Sequence, residues 1–106
     1  MLKEIDVIEL NEKFKSKQEF LLLDVRKDLE VMVSKINNSI HIPMNEIPSR
    51  LNEIDKNKEI IVQCKSGKRS AKVCEFLIQN GFPDVKNLAG GILAWAKHID
   101  NSIIVY

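Results

Sequence analysis

Two apolar runs constrain this chain more than anything else in it. Phe20-Leu21-Leu22-Leu23 leads into Asp24-Val25-Arg26, and Ile60-Ile61-Val62 leads into Gln63-Cys64. Both runs are unbroken rather than alternating, and both have the length of a strand. A strand that is apolar at every position buries both faces, which happens when helices cover the two sides of a parallel sheet. Their first polar residues stand at the carboxyl end. In open α/β sheets that edge is where ligands bind.

The segments around these runs fit the same architecture. Glu4 to Val7 reads as a short edge strand, followed by an amphipathic helix carrying Ile8, Leu10 and Phe14 and ending near Ser16 to Gln18. Lys27 to Asn38 has no clear period and reads as a short helix and a loop. Ser39-Ile40-His41-Ile42-Pro43 reads as a strand near an edge, where Pro43 needs no ladder partner, with His41 projecting opposite Ile40 and Ile42. Ile47, Leu51 and Ile54 recur at helical spacing, with Pro48 suited to a first turn, and Asn57 suits the turn that follows. From Arg69 to Asn80 the pattern is again helical, with Ala71, Cys74, Leu77 and Ile78 on one face and Val73 beside them. Asn80-Gly81 forms the cap before Pro83. Val85 to Leu88 reads as a strand, and Ala89-Gly90-Gly91 starts a helix whose apolar face is Ile92, Trp95, Ala96 and Ile99. The two glycines there permit a close backbone approach, Trp95 belongs to the core, and Ile103-Ile104-Val105 adds a strand or packs its side chains. The expected fold is α/β, a mainly parallel sheet flanked by helices.

Length and composition narrow the function classes. At 106 residues the chain is expected to form one domain spanning 1–106, and its 44% hydrophobic and 29% charged content is globular. No apolar run approaches a membrane span of about 20 residues. The acidic residues near the amino terminus leave no secretory signal, so no membrane association and a cytoplasmic location are expected. The net charge of +1 argues against a nucleic-acid surface. Two cysteines and two histidines without ligand spacing point to no metal and no cofactor. Cys64 and Cys74 pair only if the second helix unwinds, which makes Cys74 a packed core thiol. His41 has no acid or serine nearby in sequence that would make it a base.

The chemistry concentrates in Cys64-Lys65-Ser66-Gly67-Lys68-Arg69-Ser70, a loop between a buried strand and a helix. Helix-start amides lack intrahelical acceptors and stabilise an anion. Ser66 and Gly67 are small enough to let the backbone curl, so amides from Lys65 to Ser70 can converge on one point as a nest. The helix start and the cations Lys65, Lys68 and Arg69 are features that lower a thiol pKa, so Cys64 is expected to rest as thiolate. Taken alone, the loop also fits an ordinary strand-to-helix turn that happens to hold a cysteine.

The loop resembles the C-x-S-G-x-R-S active-site loop of the rhodanese-like sulfurtransferases. Three further stretches match that family in order. Leu22-Leu23-Asp24-Val25-Arg26 is similar to its L-L-D-V-R strand and Ile40-His41-Ile42-Pro43 to its I-x-I-P segment. Gly81-Phe82 and Asn87-Leu88-Ala89-Gly90-Gly91-Ile92-Leu93-Ala94-Trp95 are similar to its G-F…N-L-x-G-G-x-x-x-W tail. The resemblance implies a rhodanese-like fold and a Cys64 thiolate that takes the sulfane sulfur of a donor such as thiosulfate, giving a persulfide and sulfite. A thiol or cyanide then accepts that sulfur, or a protein persulfide partner exchanges it with Cys64. The loop amides, including those of Ser66, Gly67 and Ser70, would hold the persulfide, while Lys65, Lys68 and Arg69 would attract the donor and stabilise sulfite. Asp24 and Arg26 read first as a structural ion pair supporting the loop, with Arg26 touching substrate as the alternative.

One stretch departs from the family. Where its members carry G-H-I-x-G-A, this chain has Ser34-Lys35-Ile36-Asn37-Asn38-Ser39, and Asn37 or Asn38 is expected to supply the left-handed turn that glycine would give. Two rival functions remain. A phosphatase or arsenate reductase has five residues between its cysteine and arginine, whereas Cys64 and Arg69 are separated by four, and Gln63 stands in place of the histidine. A non-catalytic binding module of the same family would usually lack the cysteine.

Overall fold

The computed structural model describes residues 2–106. Five parallel strands, β1 (Glu4–Ile5), β2 (Leu21–Asp24), β3 (Ser39–His41), β4 (Ile60–Gln63) and β5 (Val85–Leu88), form one sheet in the order β1-β5-β4-β2-β3. Helices α1 (Val7–Lys15), α2 (Asp28–Val33), α3 (Lys68–Gln79) and α4 (Gly91–His98) and a 3₁₀ segment (Met44–Glu53) connect them. The fold is the expected α/β arrangement. Chain direction across the sheet reverses between β2 and β4, which places a crevice at their carboxyl ends.

The unbroken apolar runs are explained by two cores, one on each face. Leu21, Leu23, Ile60 and Val62 point toward α3 and the 3₁₀ segment, where they meet Val73, Cys74, Leu77 and Ile47. Leu22 and Ile61 point the other way, toward Val7, Leu10, Ile92 and Trp95 of α1 and α4. Every position of β2 and β4 is buried. Burying one such side chain is worth about 1.5–3 kcal/mol, so an unpaired polar residue at one of these apolar positions would weaken the sheet's packing on its helices by about that much. Trp95 is edge-on to Phe14 at 5.9 Å and belongs to the core.

Several local expectations are corrected. The first strand stops at Ile5 because Asp6 caps α1: its carboxylate accepts from the Glu9 amide at 2.8 Å and the Glu9 carboxylate faces back, a capping box. Val7 and Leu10 then face the core, and Ile8 lies on the exposed side. The helix expected from Pro48 is a 3₁₀ segment that starts earlier and kinks at Arg50. Pro48 lies inside it, and a proline ring with no N–H cannot extend an α-helix through its preceding turn. In α3 the buried stripe is Ser70, Val73, Cys74 and Leu77, while Ile78 is exposed. Ile40 and Ile42 do not share a burial either, since Ile40 is exposed on the edge strand and Ile42 is buried. The Ile103–Val105 segment forms no strand; Ile103 and Val105 pack against the α1 and α4 layer.

Other expectations hold. α2 occupies the stretch without period, and Ile42 and Met44 donate to the Asp24 and Val25 carbonyls on either side of Pro43, which has no N–H to leave unpaired. Asn38 has φ +68°, so asparagine supplies the left-handed turn after Ile36, which is itself buried. No helix of the described residues is long and apolar enough to cross a membrane.

Candidate active site

Cys64 follows β4 directly, beside the reversal point of the sheet. The chain turns at Gly67, whose φ of +105° requires a residue without a β-carbon, and α3 begins at Lys68. The turn points backbone N–H groups inward. The Gly67 amide donates to Cys64 Sγ at 3.1 Å and the Ser70 amide at 3.4 Å, and the Ser70 hydroxyl lies 3.2 Å from the same sulfur.

The inward amides stay inward because the loop carbonyls are tied from behind. Amides at the start of α4 donate to them: Ile92 to the Cys64 carbonyl at 2.9 Å and Leu93 to the Lys65 carbonyl at 3.1 Å. The Gln63 side-chain amide adds a second donor to the Cys64 carbonyl at 3.1 Å. Asn87 of β5 donates to the Gly67 carbonyl at 3.0 Å. Gly91 makes the approach possible, for a β-carbon there would lie 2.5 Å from the Cys64 carbonyl oxygen. Gln63, Asn87 and Gly91 were not singled out as site residues by sequence reasoning. The paired glycines were the available signal for the close approach, whereas the carbonyl-tying roles of Gln63 and Asn87 have no local signature.

These donors set the thiol's electrostatics. Burial alone would push the Cys64 thiol up, but the Ser70 hydroxyl and the amides of Ser70, Gly67 and Ser66 outweigh it and bring the pKa below the ordinary value. This corrects part of the sequence argument. The direction is as expected, yet its main cause is oriented donors rather than Lys65, Lys68 and Arg69. The Lys68 and Ser66 side chains are exposed and Lys65 is half-buried, so Ser66 acts through its backbone amide.

Arg69 is paired with Glu30 of α2. Its two terminal nitrogens donate to the two Glu30 carboxylate oxygens at 2.7 and 2.9 Å. The guanidinium holds the Glu30 carboxyl down to about 2 against the opposing effect of burial, so the pair is ionised throughout the neutral range. Glu30 lies in the stretch without hydrophobic period, where the sequence offered no reason to choose it. Behind it, Arg26 is fully buried. Its Nη2 and Nε bind the Asp24 carboxylate at 2.8 and 3.0 Å, and Nη2 also donates to the Ser34 carbonyl at 2.8 Å. The guanidinium has no exposed surface, and its bonds go to Asp24 and to the backbone of α2 and its end. A chain of contacts therefore runs from β2 through α2 to the loop.

The remaining candidates are accounted for by packing. His41 Nε2 lies 2.7 Å from the Arg26 carbonyl, which makes that nitrogen the donor and the ring a clamp on the turn after β2. Cys74 is buried one helical turn beyond Ser70, and burial pushes its thiol up to about 12. Both cysteines are free. No group of three or more potential metal ligands occurs among the described residues.

Comparison with known proteins bears on this arrangement. Residues 6–105 match the model of the rhodanese-like domain. A protein of Allochromatium vinosum named sulfurtransferase is 39% identical over 98 residues, covering 92% of each chain. The thiosulfate sulfurtransferase GlpE of Coxiella burnetii is 32% identical, covering 92% of this chain and 91% of its own. The crystal structure of a rhodanese-like domain protein from Staphylococcus aureus superposes with a TM-score of 0.86 at 37% identity, over 99% of both chains.

Proposed function

The chain belongs to the rhodanese-like family, and from that premise we propose that it moves a sulfane sulfur from a small anionic donor of the thiosulfate type to a thiol or cyanide acceptor through a persulfide on Cys64. The observation that carries this reading is the cradle itself, in which oriented donors converge on one buried sulfur and lower its pKa. In the first step the Cys64 thiolate attacks the outer sulfur of the donor. A bond forms between the two sulfurs, the donor's S–S bond breaks, and its electron pair leaves with sulfite. The second step returns the thiolate by attack of the acceptor on the outer sulfur of the persulfide, so the kinetics are ping-pong.

The protein's residues divide this work. The amides of Ser66, Gly67 and Ser70 hold negative charge on the attacking sulfur and then on the persulfide. Lys65 and Lys68 draw the anionic donor to the rim. Arg69 stands beside the approach with its charge shared with Glu30, and Asp24 and Arg26 support the loop from below. Cys64 has no exposed surface in this conformation.

Against phosphate or arsenate chemistry stands the four-residue spacing between Cys64 and Arg69, one short of the loop such enzymes use, with Gln63 where they carry histidine. A sulfur relay, in which a protein persulfide replaces thiosulfate, uses the same cradle and the same two displacements. Intact-mass measurement after incubation with thiosulfate tests the proposal. The wild type gains one sulfur atom and Cys64→Ser gains none; a wild type that stays unmodified while hydrolysing an aryl phosphate would overturn the reading.

A further inference from the structure

The Arg69 side chain stands between two depressions that also share Lys27. One, of about 460 Å³, is lined by Lys27, Leu29, Glu30, Lys65, Arg69 and Tyr106. Its single acid is the Glu30 carboxylate already bound to Arg69, so its free charges are cationic, as a small anionic donor requires. The other, of about 660 Å³, has a different chemistry. Val25, Pro43 and Met44 give it an apolar floor, and Lys27, Arg69, Asp28 and Glu46 give it a rim of both signs.

Lining separates this second cavity from the first, since it adds apolar Val25, Pro43 and Met44 and the acid Asp28 to the cations, a mixture that suits an organic molecule carrying both charges better than a small anion. Its wall nevertheless reaches the reacting sulfur's strand. Asp24 is the register partner of Gln63, the residues that directly follow them are Val25 and Cys64, and the Val25 amide donates to the Gln63 carbonyl at 3.0 Å, so the pairing continues one step past the strand ends. Val25 and Cys64 belong to one packed cluster. The rim is also specific about which charges are available. Glu46 is paired with Arg50 at 2.9 Å and Arg69 with Glu30, which leaves exposed Asp28 as the acid and exposed Lys27 as the cation. The His41 ring nitrogen nearest to Asp28 is 3.8 Å away, too far for a hydrogen bond.

We propose that this cavity, between Met44 and the start of α2, is the acceptor subsite and that it takes an amino-acid-derived thiol, its carboxylate toward Lys27, its ammonium toward Asp28 and its aliphatic part over Val25 and Met44. The inference rests on the sulfurtransferase reading above and names the acceptor class for it. In the transfer step the acceptor thiolate attacks the outer sulfur of the Cys64 persulfide, Cys64–S–SH. The new S–S bond forms on the acceptor, the bond to Sγ breaks, and its electron pair restores the Cys64 thiolate, with RSSH leaving. No further reductant or oxidant is needed.

The test uses the full chain loaded with thiosulfate and four acceptors: cysteine, glutathione, N-acetylcysteine and cyanide. Met44→Trp fills the cavity and raises KM for cysteine and glutathione by about tenfold, which corresponds to ~1.4 kcal/mol, while sulfur loading and turnover with cyanide change less than about twofold. Asp28→Asn, at an exposed position that does not risk the fold, raises KM about threefold for cysteine, as removal of one exposed ionic contact allows. It leaves N-acetylcysteine, which has no ammonium, unchanged. Equal changes for every acceptor, or none for the amino-acid thiols, would overturn the subsite while leaving the sulfurtransferase standing. A wild type that never loads sulfur would remove both.

Discussion

Cys64 and Cys74 are equally hidden from solvent and lie on either side of Ser70, yet they differ in everything that governs reactivity. Cys64 sits at the end of a strand, where the chain turns and presents amides that no helix has claimed. Cys74 sits in the second turn of α3, where the backbone donors are already used within the helix and its neighbours Leu77 and Val73 are apolar. Burial raises both thiols. Only at Cys64 do directed N–H and O–H groups reverse the sign, whereas Cys74 is left at about 12. The comparison teaches that burial is compatible with a lowered thiol pKa when donors are fixed around the sulfur, and raises it when they are not.

Changes that dissolve this difference should be felt in proportion to how many donors they displace. Gly91→Ala is expected to have the largest effect. Its β-carbon meets the Cys64 carbonyl at 2.5 Å in a backbone with φ +58°, so the loop must move away from α4. We expect a loss of about 3 kcal/mol or more in stability, the scale of overpacking plus a strained φ. The pH midpoint of Cys64 alkylation should rise toward that of an ordinary thiol, both in a variant checked for native circular dichroism. A variant as stable and as acidic as wild type would show that the rear carbonyl bonds do not hold the cradle.

Ser70→Ala comes next, because it removes one donor and keeps the loop. The thiolate is the reacting form and the hydroxyl lowers the folded-state pKa, so its removal raises that pKa and reduces the thiolate fraction at a given pH. A hydrogen bond to a charged group is worth about 1.5–3 kcal/mol, so the midpoint of iodoacetamide rates against pH should move upward. An unchanged midpoint would assign the acidity to the amides alone. Cys74→Ala should have the smallest effect on chemistry, with stability lowered by about 1–2 kcal/mol for the lost packing and sulfur loading intact. Loss of loading in the folded variant would mean that the second thiol takes part after all.

The sequence made the strand, the loop and the helix after it legible because each is a local pattern: unbroken apolar residues, a glycine turn, a helical repeat. Cys64, Gly67 and Ser70 could be placed from neighbouring residues alone. Glu30 could not, since it comes from a helix with no apolar period and meets Arg69 only through the third dimension. Asn87 escaped for the same reason, since it binds a carbonyl 20 residues away, whereas Gln63 binds the carbonyl of its own neighbour and nothing in the residue type announces that bond. The cations were overvalued because a charge is visible in a sequence and the direction of an amide is not. The spacing of Ile47, Leu51 and Ile54 fits an α-helix from Pro48, whereas the structure has a 3₁₀ segment over Met44–Glu53, with Pro48 inside it and a kink at Arg50.

The rear ties on the loop carry a consequence for how the protein comes into being. The carbonyls of residues 64, 65 and 67 are bound by groups on residues 87, 92 and 93, so the cradle closes only after the last helix has been made and docked. Before that moment Cys64 is a thiol like any other, at the end of a strand with no fixed donors. A chain emerging from the ribosome would thus carry its nucleophile through synthesis in an unactivated form, and docking of α4 would be the event that arms it.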